Sequence, residues 1–376
     1  MVCVVCNVAV TSKSPRRVVL AALAAARRSL PAYSHPCSPK VFTQHQLFAC
    51  LVLKSFLKAD YRGVAMHLAD SPALVEMLGL TKLPHFTTLQ KASRRLLAVR
   101  RCRRLLNATV RMHMGRKRRV SSSAVDSTGL ECSAASAYFV NRRTRVAEPW
   151  KRVVYHHYPK LAVVCDTQTH FILACAAGRG PRPDVDEFRP LVADALGRVR
   201  LALLVGDAGY DSEPNHRFAR DTNGIRTIIP AQRGRPTTKP ATGRYRRLMQ
   251  VRFDRAAYRQ RSQVETVISM LKRRQGAHVR GRSYWSQCRD LWLMVLTHNL
   301  MILVFVRVFY RAVLTRYPLP IRSFGVLAPD RDPNCQHHQR VGHQCSWEGS
   351  GAVASQQILT SGHHEGDPRD DETHRP

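Results

Sequence analysis

Three acidic residues of this chain fall where phosphoryl chemistry would need them. Glu265 lies in Y-R-Q-R-S-Q-V-E-T-V-I-S-M-L-K, residues 258–272. On a helical wheel turning about 100° per residue, Tyr258, Arg261, Glu265 and Lys272 share an arc of about 60°. Val264, Val267, Ile268 and Leu271 centre well away from that arc. One face can therefore enter a core while the other presents a carboxylate among two cations and a phenol. A Glu beside Arg and Lys is, taken alone, most often a solvated surface network. Two upstream Asp residues argue for more. Residues 120–125 are predicted to form a strand ending at Asp126 in A-V-D-S-T-G, and residues 201–205 a strand ending at Asp207 in L-L-V-G-D-A-G-Y-D. Each run is apolar or β-branched and stops at glycine-containing turn chemistry. Carboxylates at strand ends sit at the rim where ligand sites of α/β sheets collect. The set is all oxygen, suited to magnesium or manganese rather than zinc. Two such ions about 4 Å apart can activate a nucleophile and stabilise a leaving oxygen.

The spacing Y-x2-R-x3-E-x6-K, preceded in order by D-S-T-G and G-D-A-G-Y-D, resembles the DDE transposases of bacterial insertion sequences. The likeness spans residues 61–303. It implies an α/β fold, a ribonuclease-H-like mixed sheet flanked by helices and preceded by a helical DNA-binding region. It implies that Asp126, Asp207 and Glu265 are catalytic and hold two divalent cations, magnesium with manganese able to substitute, Asp126 bridging them. Arg261 and Lys272 would clamp DNA phosphates near the cut, with Tyr258 packing or hydrogen bonding beside them. The implied activity is cut-and-paste transposition: metal-dependent cleavage and strand transfer at the element's ends. The implied partners are double-stranded DNA, as terminal inverted repeats and target, and a second copy in a synaptic homodimer. Two rivals are a related nuclease that cleaves without joining and a catalytically dead DNA-binding derivative. The basic N-terminal third argues against the first, and the intact acids against the second.

Composition agrees with a polyanionic partner. The 376 residues carry a net charge of +34, with a pI near 10.8. So much like charge opposes compaction unless phosphates offset it. Residues 1–120 hold 22 Lys and Arg against 3 Asp and Glu, whereas residues 331–376 hold 4 against 7. The eleven Cys follow no metal or disulfide framework; Cys3 and Cys6 make a single C-x2-C. Reduced thiols and a cytoplasmic, nucleoid-associated protein are expected. Residues 18–26 are apolar but run from Arg16-Arg17 into Arg27-Arg28 without a clean cleavage site. Residues 291–306, interrupted by His298 and Asn299, are too short and polar for a membrane span and are expected to be a buried core helix.

Along the chain, residues 1–40 are expected to be poorly ordered or marginally helical, even reflecting a misplaced start codon. Residues 41–119 are expected to be a helical, helix-turn-helix-like DNA-binding region. In it, helices over 41–57 and 61–80 precede one capped by Thr87 or Thr88, with Lys91, Arg94 and Arg95 forming a basic face opposite Leu89 and Leu96. Residues 100–119 are expected to be a basic connector. Residues 120–330 are the expected catalytic domain: strands over 160–165 and 171–176, a helix over 185–196 begun by Asp184 or Asp186, a helix near 213–220, a strand at 227–231, and an exposed basic loop over 232–255. Asp211 is expected to cap. Residues 331–376 are expected to be a disordered polar tail whose Cys335, His337, His338, His343 and Cys345 lack metal-site spacing.

Overall fold

Thr43 and Gln46 open the first of the expected helices reciprocally. The Gln46 N–H donates to the Thr43 hydroxyl at 3.2 Å, and the Thr43 N–H donates to Gln46 Oε1 at 2.8 Å. The computed structural model describes residues 11–116, 118–132, 157–231 and 240–304. Its N-terminal helices are α1 (Pro15–Ser29), α2 (Gln44–Phe56), α3 (Tyr61–Ala69), α4 (Pro72–Leu78), α5 (Phe86–Leu96) and α6 (Val99–Met114). Gly79 ends α4 in the left-handed conformation, φ 64°.

Several expectations need correction here. Residues 15–29, within the stretch expected to be poorly ordered, form a full helix. Ser14 caps it, Pro15 starts it, and its Ala-rich body buries Val18, Val19, Ala22 and Ala26. The expected connector at 100–119 is mostly α6. Its paired arginines disguise the buried stripe of Cys102, Leu105, Leu106 and Val110. The N-cap of α5 is His85, without a side-chain cap bond; Thr87 and Thr88 lie within the first turn.

The strands begin with β1 (Arg119–Val120), β2 (Ser123–Gly129), β3 (Glu131–Cys132), β4 (Tyr158–Asp166) and β5 (Ile172–Gly180). Helix α7 (Asp184–Leu196) leads to β6 (Arg200–Leu201) and β7 (Leu203–Gly206). Helix α8 (Glu213–Arg217) and a π turn lead to β8 (Arg226–Ile228). The five main strands lie in the order β5-β4-β2-β7-β8. The first three are antiparallel neighbours, and β2, β7 and β8 are parallel. Nearly all of β4 is buried, as expected of a strand covered by helices on both faces. This mixed sheet with flanking helices is the ribonuclease-H-like arrangement.

The last described elements are α9 (Arg244–Val251), α10 (Arg255–Tyr258), a 3-10 turn (Arg259–Arg261), α11 (Ser262–Gln275), β9 (His278–Val279) and α12 (Tyr284–Leu303). Thus the expected loop at 232–255 contains a helix. The Glu213 carboxylate holds its start by accepting from the Arg244, Tyr245 and Arg246 N–H groups. Helix α12 is the expected buried helix of residues 291–306 as far as it is described. It packs against α1, α2 and α6 as well as β4 and β5, so one apolar core runs from the N-terminal helices to the sheet. Asn299 takes both backbone groups of Ile172, donating to its carbonyl at 2.8 Å and accepting its N–H at 3.0 Å. No helix among the described residues is long and apolar enough to cross a membrane. Cys37, Cys50, Cys102, Cys132, Cys165, Cys175 and Cys288 are free thiols. The expected tail, with its Cys and His residues, lies outside the described residues.

Candidate active site

Asp126 stands fourth of seven residues in β2, rather than at a strand end. The strand continues because β4 keeps pairing with it as far as Gly129. On its other edge, the parallel pairing with β7 stops at Val125 opposite Gly206. Asp207 follows Gly206 directly, so Asp126 and Asp207 are the next residues of two adjacent parallel strands. Neighbouring strands lie about 4.8 Å apart and their side chains alternate in step, so both carboxylates leave the same face. The site therefore opens at the C-terminal end of the parallel pair, where the strand order changes direction.

Glycines make this approach possible. A Cβ on Gly206 would lie 2.9 Å from Val125 Cγ1, closer than packed carbons tolerate. Just past it, Asp207 Oδ1 accepts the Gly209 N–H at 2.7 Å and caps the 3-10 turn Ala208–Tyr210. Asp211 ends that turn. It caps the turn through its backbone N–H, which donates to the Ala208 carbonyl, while its side chain is buried with Oδ2 2.8 Å from Arg246 Nε.

Glu265 arrives from α11, whose Val264, Val267 and Leu271 are buried as the wheel requires. Gln275 pins the far end of this helix, accepting from Ser55 Oγ at 2.6 Å and donating to the Met294 carbonyl at 2.8 Å. Arg261 is the link between helix and sheet. Its Nη2 donates to Glu265 Oε1 at 2.6 Å, and its Nη1 lies 3.9 Å from Asp126 Oδ2. Tyr258 packs edge-on against Phe253, centroids 4.9 Å apart. Burial chiefly raises its phenol above the ordinary range, and the charges of Asp207 and Glu265 add to that. Lys272 lies two turns further along the same helix.

The electrostatics single out Asp126, whose carboxyl is pushed up to about 6. Burial is the main cause. The Ser127 N–H and Arg261 oppose the rise, while Asp207 and Asp184 add to it. Asp184 is the residue sequence reasoning misjudged. It begins α7 after Pro183 and makes no cap bond. Its Oδ1 accepts from Ser127 Oγ at 2.7 Å and lies 2.6 Å from Lys160 Nζ. Lys160 is 5% exposed, 3.6 Å from Glu187 Oε2, and donates to the Arg182 carbonyl at 2.6 Å. A lone Lys in the apolar run Y-P-K-L-A-V-V was the available signal, because a buried ammonium needs a carboxylate.

The donor chemistry fits a hard cation: Asp126 and Asp207 offer oxygen only, and Asp126 sits in like charge that a cation would offset. Among the described residues no three His, Cys, Asp or Glu side chains converge closely enough to hold a metal ion, and Glu265 is turned to Arg261.

Residues 121–300 match the family model described as the transposase DDE domain. This segment is a transposase DDE domain. No curated protein matches the chain. The DDE domain begins at β2 and ends inside α12, so it takes in all three candidate carboxylates, Arg261 and Lys272. It excludes α1 to α6, and with them Lys91, Arg94 and Arg95. Those three are exposed on α5, opposite buried Leu89 and Leu96, as expected. The structure thus gathers Asp126, Asp207, Arg261, Glu265 and Tyr258, and places the α5 cations outside the DDE domain.

Proposed function

We propose that this transposase-family protein cuts DNA at the ends of an insertion sequence and joins the freed ends to a target. Asp126, Asp207 and Glu265 are the catalytic carboxylates. The observation that carries this reading is the pairing register that sets Asp126 beside Asp207, with Arg261 tying Glu265 to the same edge. The three acids would hold two divalent cations, magnesium or manganese, which when bound neutralise the phosphodiester and activate the attacking oxygen. The chain's own residues do the positioning. Arg261 orients Glu265 and holds positive charge next to Asp126, where an anionic phosphate would approach. Lys272 extends that cationic face along α11, the Tyr258 phenol stands at the end of α10 before it, and Lys91, Arg94 and Arg95 offer a second DNA contact. A synaptic dimer would bring two ends together.

The test is an assay with the full chain, magnesium and end-labelled DNA carrying the inverted repeats that flank the gene. Joined products support transposition. Nicks without joining would favour a nuclease, and binding without nicks a catalytically silent derivative.

A further inference from the structure

A basic cleft lies where α2, α3 and α5 meet the segment joining β9 to α12. Five cations line it: Lys54 on α2, Arg94 on α5, Arg280 and Arg282 before α12, and Arg289 in its second turn. Asp60 and Asp290 also line it, so the cations outnumber the carboxylates five to two, and each carboxylate accepts a backbone N–H. Asp60 Oδ1 accepts the Gly63 N–H at 2.6 Å, and Asp290 Oδ2 accepts the Gly281 N–H at 2.9 Å. Among the described residues no salt bridge reaches any of the five cations.

Lys54 is the most informative of them. It is 7% exposed, and its ammonium lies 4.8 Å above the Tyr61 ring. Burial pulls its pKa down, only partly offset by the charges of Asp290 and Asp60. A cation this buried, with no carboxylate within ion-pair distance among the described residues, is costly unless an anion completes its surroundings. The start of the 20-residue α12 also opens on the cleft, with Ser283 and Ser286 lining it. A helix N-terminus favours negative charge. Arg94 belongs both to this cleft and to the exposed face it forms with Lys91 and Arg95 on α5.

We propose that this cleft binds the phosphodiester backbone of DNA, so that one duplex engages the α5 face and the junction with the DDE domain together. The proposal rests on the transposase reading above. A run of phosphates fits better than a single small anion because the cations come from three helices and the loop before α12, and continue along α5 to Lys91 and Arg95.

The test uses the full chain and a fluorescent duplex in calcium buffer, following affinity against salt concentration. Arg282→Gln with Arg289→Gln is expected to lower the slope of log affinity against log salt by about two and to weaken binding at least tenfold at moderate salt. Lys54→Met, which removes the buried charge but keeps the volume, is expected to lower the slope by about one. Circular dichroism checks that each variant is folded. Arg16→Gln with Arg28→Gln, exposed on α1, is the control for overall charge. If the wild type binds with a steep slope and folded cleft variants match it, the cleft assignment fails and the transposase reading survives. An equal loss in the α1 control also overturns the cleft. If the wild type binds no duplex, both fail.

Discussion

Asp126 and Asp207 each stand one residue beyond Val125 and Gly206, the last paired positions of two parallel strands. Their proximity is thus set by backbone register, and a side-chain amide can replace either carboxylate without moving the strand. Asp126→Asn, Asp207→Asn and Glu265→Gln are each expected to lower magnesium-dependent cleavage by about 10³-fold or more, the scale of losing several kcal/mol of charge stabilisation. Gel shifts in calcium should stay within a few-fold of wild type. Full cleavage by any one variant removes that residue from the catalytic set.

Gly206→Ala tests the close approach of β7 to β2. The added methyl would meet Val125 Cγ1 at 2.9 Å, an overpacking expected to cost about 1–3 kcal/mol and to displace Asp207. Chemical denaturation and cleavage assays should both register it. Adding Val125→Ala should restore part of each. A double variant no better than Gly206→Ala would mean that some other contact sets the spacing.

Buried Lys160 is paired with Asp184, which is itself partly exposed, beside the Ser127 hydroxyl. Asp184→Asn leaves the ammonium with only Glu187, 3.6 Å away, as its carboxylate partner. Breaking such a pair is expected to cost about 3–5 kcal/mol. Lys160→Met made on top of Asp184→Asn should cost far less than Lys160→Met alone. The cleavage rate of folded Asp184→Asn should also need more magnesium to saturate, which lost stability alone would not produce. Additive stabilities and an unchanged magnesium profile would leave Asp184 no positioning role.

His298 predicts an acid sensitivity. It is fully buried, with Nε2 2.9 Å from the His170 carbonyl oxygen, and its pKa is lowered from 6.5 to about 4 chiefly by burial. The folded value lies below the unfolded one, so the unfolded chain takes up the proton first. This contribution to stability is complete above about pH 6.5 and is lost as pH falls toward 4, by up to about 1.4 kcal/mol per pH unit. Urea titrations between pH 4 and 7 should show a shallower pH dependence in His298→Gln than in wild type. Equal slopes would contradict it.

The polar face of this stretch was legible because Tyr258, Arg261, Glu265 and Lys272 fall on one side of a helical wheel whose other side is apolar, a purely local property; its division into α10, a 3-10 turn and α11 was not. The strand leading to Asp207 was legible for the same reason. The partnership of Asp184 with Lys160 and Ser127 was not, since it joins three elements whose adjacency exists only after the sheet is ordered. The side-chain partner of Asp211 was hidden likewise: Arg246 lies 35 residues on, in a helix among turn-forming residues. In α6 the stripe was present in the letters, but eight of its sixteen residues read as polar or basic, and that hid it. For α1 the local helix signal was adequate, and only its burial depended on helices far along the chain.

Helix α12 fills the space that α1, α2 and α6 share with β4 and β5. A growing chain on the ribosome therefore holds its first helices, apolar faces open, until residues near 300 emerge. Such exposed surface invites association with other nascent chains. A message cut short before the codon for Tyr284 would encode all three acids and every cation of α5, yet supply no helix to close the core around them.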